Sequence, residues 1–195
     1  MGRRIDVTIR CGAISRLFTF ATTLMLAAAA SACGTSSQPL PAASSTPGSS
    51  SKGLIAFASD RGGHRDIAVM NADGTGLRWL TNDAAKDVVP AWSPDGKKIA
   101  FTSDRSGDFE IWVMNADGSG ATQLTHNPGD DGFPTWSPDG TKIAFASTRD
   151  GNTDIYVRNA DGSAVKRMTN AQDAYLATDW SHDGTRIVFD RDLGG

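Results

Sequence analysis

The chain has 195 residues, with 19 Lys and Arg against 22 Asp and Glu and a formal net charge of −3. Setting aside residues 1–32, which carry Arg3, Arg4, Arg10 and Arg16 against the single acid Asp6, leaves 15 basic and 21 acidic residues. A nucleic-acid binder shows a Lys/Arg stripe, so this balance excludes that class of partner; the two cysteines, Cys11 and Cys33, exclude a disulfide-stapled scaffold.

Residues 1–16 form a positive n-region, and residues 17–32 (LFTFATTLMLAAAASA) form an apolar stretch with threonine and serine interruptions. That stretch is shorter than the ~20 apolar residues of a membrane span. It ends in small residues, so it reads as a secretory signal. Ala30-Ser31-Ala32 stand before Cys33, and the string resembles a lipobox, the site where bacterial lipoproteins are acylated and cut. The resemblance implies a lipid thioether on Cys33 and a chain anchored to a membrane, although leucine is commoner than alanine three places before the cysteine. An ordinary Ala-x-Ala cleavage, leaving a secreted chain with a free thiol, is the alternative.

Residues 34–52 (GTSSQPLPAASSTPGSSSK) lack the apolar content that would offset the entropy of ordering. As a Gly/Ser-type coil they would span roughly 25 Å. The expected organisation is therefore a leader at 1–32, a lipidated cysteine with its tether at 33–52, and a folded region at 53–195.

The folded region repeats itself. LIAF at 54–57 returns as KIAF at 98–101, KIAF at 142–145 and RIVF at 186–189, a period of 44 residues with no insertion or deletion. Trp92, Trp136 and Trp180 keep this interval, as do Asn71, Asn115 and Asn159. The units run 53–96, 97–140 and 141–184, with a partial copy at 185–195. Each holds four short apolar runs bounded by turn signals, none long enough for a helix. Runs that are apolar at consecutive positions suit strands covered on both faces by stacked sheets. Ser-Pro-Asp-Gly at 93–96 and 137–140 places proline at the second turn position, with aspartate capping locally and glycine supplying a positive φ. Asn-Ala-Asp-Gly at 71–74, and its counterparts at Asn115 and Asn159, work similarly, so both motifs join strands within a sheet.

A four-stranded unit of this length matches a propeller blade. The string P-x-W-S-P-D-G-x-x-I-A-F-x-S-x-R, at 90–105 and 134–149, resembles the WD-like repeat of the TolB β-propeller and of prolyl-oligopeptidase-type propellers. The third copy departs from it at Thr178 and at Ser181-His182-Asp183-Gly184, where the prolines are missing. The expected fold is all-β: a partial propeller of three four-stranded antiparallel blades plus the first strand of a fourth, an open arc or fragment. Its exposed edge strands would favour self-association.

Repetition sorts the candidate residues. Trp92, Trp136 and Trp180 are expected to pack blade on blade. Arg61, Arg105 and Arg149 recur with Asp66, Glu110 and Asp154, which suggests a within-blade ion pair or hairpin support, with a functional ring of charge as the alternative. Positions that differ between copies suit recognition, because loops on a rigid scaffold are where binding resides. They are Trp112 and Tyr156 on the second strand, His64, Arg65, Asp108 and Phe109 in one loop, and Asp130 and Asp131 in another. Asp130→Ala is expected to leave stability unchanged. Asp150-x-Asn152-x-Asp154 echoes a calcium loop, but Ile155 and Asp161 stand where glycine and glutamate are needed, so no metal is expected. No cofactor is expected. His64, His126 and His182 sit at unrelated offsets, and no G-x-S-x-G elbow is present.

These residues lead to a non-enzymatic, membrane-tethered module binding an envelope or secreted protein, or a polysaccharide, and touching the membrane only through its lipid. The propeller part of a peptidase-associated hydrolase or lyase-type enzyme, and a truncated product without function, are the alternatives.

Overall fold

The structure, a computed structural model, describes residues 6–10, 53–60, 63–170 and 174–192, with stretches 6–10, 174–177 and 191–192 described by backbone alone. Cys33, the tether, Arg61 and all of the leader except 6–10 lie outside the described residues. Every regular element described is a β-strand.

After β1 (Asp6–Arg10), thirteen strands form a succession of sheets. The first sheet has β2 (Leu54–Ser59), β3 (Asp66–Asn71) and β4 (Arg78–Trp79), hydrogen-bonded in that order. The second has β5 (Asp87–Trp92), β6 (Lys98–Ser103), β7 (Glu110–Asn115) and β8 (Thr122–Gln123). The third has β9 (Asp131–Trp136), β10 (Lys142–Ser147), β11 (Asp154–Asn159) and β12 (Lys166–Arg167). The last pairs β13 (Ala174–Trp180) with β14 (Arg186–Asp192), and β1 joins β14 in parallel with Asp6 opposite Arg186. Because β1 falls inside the stretch read as a leader, removing that stretch would uncover the outer edge of β14.

The fold is the open all-β propeller arc that the repeat suggests, with its strands shared out differently. The sequence units place the strand ending in Trp92 with β2–β4, whereas the structure pairs it with β6. The thirteen strands thus divide three, four, four and two, rather than as three complete blades and one strand. The reason is hydrogen bonding: Ser-Pro-Asp-Gly is a tight turn between adjacent strands, while the stretch from Thr81 to Asp87 crosses to the next sheet.

Both turn motifs show how they close. Ser93 Oγ donates to Asp95 Oδ1 at 2.7 Å, and Lys98 N donates to Ser93 Oγ at 2.9 Å. Gly96 carries the positive φ of 68° that this turn requires. The proline-free copy keeps the same bonds, with Ser181 Oγ to Asp183 Oδ1 at 2.6 Å and Gly184 at φ 66°. The Asn-Ala-Asp-Gly turn also packs against the neighbouring sheet, since a Cβ at Gly118 would lie 2.8 Å from the Leu80 carbonyl oxygen.

Pro90 and Pro134 have no N–H for a ladder, and the pairing slips beside each of them, between Val88 and Ala91 and between Ala144 and Ala146. Val89 and Phe133, just before these prolines, adopt left-handed φ of 51° and 57°, which is costly for side chains of their kind.

The core lies between sheets rather than within one. Ile67 and Val69 of β3 meet Ile99, Phe101 and Met114 of the second sheet. Ala100, Ile111 and Val113 meet Trp136, Ile143, Phe145 and Tyr156. Ala144, Ala146, Ile155 and Val157 meet Trp180, Ile187 and Phe189. Ile99, Ala100 and Phe101 are all fully buried, as consecutive apolar residues must be when both faces of a strand are covered.

Candidate functional site

Strand direction alternates within a sheet, so the loops fall into two sets. Ser-Pro-Asp-Gly and Asn-Ala-Asp-Gly turns share one end of each sheet. Loops between the second and third strands share the other end with the crossings between sheets. These last two sets are the ones whose sequence differs from copy to copy, and backbone bonds stitch them into one face. Asp87 N donates to Arg65 O at 2.7 Å, and Asp131 N donates to Phe109 O at 2.7 Å. Lys86 N donates to Asp104 Oδ1 at 2.7 Å, and Thr148 N donates to Asp130 O at 3.0 Å.

Beneath this face each complete sheet holds one arginine in the same setting. Arg105 Nη2 lies 2.8 Å from Asp87 Oδ2, and its Nε donates to Ser103 Oγ at 2.9 Å. Its guanidinium carbon stands 5.4 Å from the Phe101 ring centroid and 4.7 Å from that of Trp112. Arg149 repeats this with Asp131 at 2.8 Å, Ser147 at 2.8 Å, Phe145 at 5.4 Å and Tyr156 at 4.5 Å. Asp87 and Asp131 are fully buried, where an unpaired carboxylate would be prohibitive.

Several sequence expectations change here. Arg105 and Arg149 pair with Asp87 and Asp131, each from the preceding sequence unit, rather than with Glu110 or Asp154. The repeated acids serve a second network, each taking a proton donor from the threonine two residues after β4, β8 or β12. Thr81 Oγ1 donates to Asp66 Oδ1 at 3.1 Å, Thr125 Oγ1 to Glu110 Oε2, and Thr169 Oγ1 to Asp154 Oδ1 at 2.7 Å. The same hydroxyls accept from Ile67, Ile111 and Ile155 N–H at 2.8 to 3.0 Å. Asp131 is no solvated loop residue: it is buried in β9, paired with Arg149 and accepting from Asn127 Nδ2 at 3.3 Å. Asp130 Oδ1 accepts from Phe109 N–H at 3.2 Å, so Asp130 ties two sheets together and its replacement by alanine is expected to cost stability.

Trp112 and Tyr156 are arginine platforms. Tyr156 also donates its hydroxyl to Asp150, and burial followed by that carboxylate pushes the phenol up to about 12. The variation at this offset is compensated across the strands: Ala68 faces Trp79, Trp112 faces Gln123, and Tyr156 faces Arg167. His64, Arg65 and Asp108 are exposed on the loop face, and Phe109 is half-buried there. Trp136 and Trp180 lie between sheets, their indole N–H groups donating to Ala91 O at 3.1 Å and Thr135 O at 3.3 Å. Trp92 occupies the same place between the first two sheets and is half-buried.

Glu110 stands out electrostatically. Burial first, and then the charge and hydrogen bonding of Asp131, raise its carboxyl from 4.5 to about 7, against the opposing pull of the Thr125 hydroxyl. The calcium-like string is used otherwise: Asp150 and Asp154 both pair with Arg167, the former at 3.2 Å. Among the described residues, no three or more His, Cys, Asp or Glu side chains gather as a metal site. Sequence reasoning missed Asp87, Trp79 and Arg167. The repeated string D-x-x-P-x-W at 87–92 and 131–136 was the signal for Asp87.

Comparison with known proteins agrees with this architecture. The family model described as the TolB beta propeller domain matches residues 27–120 and 106–195. A TolB-designated protein from Agrobacterium tumefaciens is 32% identical with a TM-score of 0.66, the match covering 70% of this chain and 49% of that one. TolB from Acinetobacter baumannii is 27% identical with a TM-score of 0.63, the match covering 70% of this chain and 34% of that one. The chain therefore spans about half the first relative and a third of the second. A chain of the nidogen/laminin complex shares the fold alone, at 11% identity and a TM-score of 0.61, over 70% of this chain and 52% of that one. No protein of curated function shows significant similarity to the chain.

Proposed function

Because the chain belongs to the TolB β-propeller family, we propose that it is a non-enzymatic binding module, exported and held at a membrane by a lipid on Cys33. Its loop face takes a protein or polysaccharide of the cell envelope. One observation carries this reading: the loops that vary between repeats are gathered on one face of the arc, above the arginine setting repeated at Arg105 and Arg149, which braces their footing. His64, Arg65 and Asp108 are exposed there, and variable polar loops on a rigid base are suited to recognition. The lipobox-like Ala30-Ser31-Ala32-Cys33 and the Ser/Pro-rich stretch after it support the tether.

Two measurements test the two halves of the proposal. The whole chain and a His64→Ala, Arg65→Ala, Asp108→Ala variant are used to capture partners from envelope extract. A partner recovered reproducibly by the wild type and lost by the variant is expected. No reproducible partner, or one retained by the variant, would overturn the loop-face reading. Cys33→Ser is expected to move the protein from the membrane to the soluble fraction. Its persistence in membranes would overturn the lipid anchor.

A further inference from the structure

Two polar atoms beside Arg105 are buried with nothing to bond, and the corresponding groups one sheet later are both satisfied. Asp87 is fully buried; its Oδ2 meets Arg105, while its Oδ1 has no hydrogen-bond partner. Trp112, whose ring lies under the same guanidinium, has a buried Nε1 that is also without a partner. In the third sheet Asn127 Nδ2 donates to Asp131 Oδ1 at 3.3 Å, and Tyr156 donates its hydroxyl to Asp150.

The sequence accounts for both gaps. One period before Asn127 stands Asp83, an acceptor in place of a donor, and one period before Asp150 stands Ser106. Asp83 Oδ1 accepts from Ala85 N–H at 2.9 Å, and its Oδ2 lies 3.2 Å from Arg105 Nη2, so one guanidinium serves two carboxylates. Gln123, opposite Trp112, spends its amide on Thr125 O at 2.8 Å. A further strand on the first sheet would leave both atoms as they are. Where β5 occupies that place, the corresponding bonds come from Asn127 and Asp150 and not from β5. A buried polar atom left unpaired is destabilising, and here an acceptor and a donor are left beside one cation. The setting opens to solvent through Asp83 and Arg105, whose side chains are 43% and 21% exposed.

We propose that the Arg105 setting, beneath the loop face where the first and second sheets meet, binds a primary carboxamide: the side chain of an asparagine or glutamine on a partner polypeptide. Its NH2 group donates to Asp87 Oδ1, the part that Asn127 plays for Asp131, and its carbonyl oxygen accepts from Trp112 Nε1. An ammonium satisfies only the carboxylate and a carboxylate satisfies only the indole, whereas one amide matches both. Two hydrogen bonds of ~3 Å each let that amide bridge the atoms on either side of the guanidinium. The assignment rests on the partner-binding reading of the loop face and supplies the chemistry of that partner.

The test titrates the whole chain with N-acetylasparagine methylamide while the indole N–H resonances are followed. The same compound with a dimethylated side-chain amide is the control, and the methyl glycoside of N-acetylglucosamine represents a polysaccharide. Expected is a saturable shift of the Trp112 indole N–H, with Trp136 and Trp180 unmoved and no response to the control. Asp83→Asn supplies from within the chain the amide that Asp87 lacks. It is expected to raise the urea midpoint and to weaken the probe roughly fivefold, the worth of one hydrogen bond. Asp83→Ala, which removes the acid without adding a donor, is expected to keep binding. No shift, an equal shift with the control, or unchanged binding by Asp83→Asn overturns the proposal. A stronger response to the glycoside overturns the assignment to a polypeptide. A silent titration with loop-face capture intact refutes this site alone, and a bound probe with no captured partner refutes the loop-face reading alone.

Discussion

Glu110→Gln isolates one buried proton. In the folded chain the Glu110 carboxyl is raised from 4.5 to about 7, by burial first and then by Asp131 across the junction between the second and third sheets. Below pH 4.5 the group is protonated whether the chain is folded or not, and it imposes no electrostatic penalty. As pH rises from 4.5 to 7 the unfolded chain releases this proton while the folded chain retains it, so stability falls through that window. The full fall is about 3 kcal/mol, from 1.36 kcal/mol per pH unit of displacement. Glutamine has nearly the same shape and cannot ionise, so it removes this dependence. Urea unfolding of wild type and variant at intervals from pH 4.5 to 8 measures it, and subtraction cancels the titrating groups that do not interact with Glu110. The variant's stability relative to wild type is expected to rise by up to about 3 kcal/mol over the range, levelling off above pH 7. Parallel profiles would refute the reasoning, because they would show that Glu110 ionises as readily inside the fold as outside it.

Trp136→Ala should cost ~3–5 kcal/mol as a large-to-small change at a buried site, measured by urea denaturation. Trp136→Phe should cost about 1 kcal/mol more than Trp92→Phe, because only Trp136 loses an indole hydrogen bond; equal costs would contradict the register described for the tryptophans. Arg149→Met leaves Asp131 buried without its cation, and should lower unfolding free energy by about 3–5 kcal/mol at neutral pH.

Much of the fold was legible because its units are local. Ser-Pro-Asp-Gly closes over four residues, and its proline-free copy still forms because serine and aspartate make the defining bonds themselves. What escaped was pairing at longer range. Arg105 meets Asp87, 18 residues back, while Glu110 lies nearer in sequence and recurs more regularly, so proximity along the chain pointed to the wrong acid. The sheet boundaries escaped for a related reason: a repeat has no intrinsic starting point, and only the distinction between a tight turn and a crossing reveals where a sheet begins. Trp112 and Tyr156 differ between copies and therefore suggested recognition. Either ring can support an arginine, and the change from Ala68 to Trp112 is balanced across the strands by the change from Trp79 to Gln123. Variation between repeats at this offset thus reflects paired substitution across the strands.

The location of the apolar clusters has a genetic consequence. Each cluster joins one sheet to the next, and equivalent junctions are built from equivalent residues at a spacing of 44. An excision of that length that fuses Lys98 to Ile143 would regenerate the same strand motif and recreate a familiar junction, whatever the phase of the cut. A loss of any other length would set dissimilar surfaces against each other. Unequal recombination can therefore shorten or extend such an array one whole increment at a time while every surviving contact keeps its original partner type.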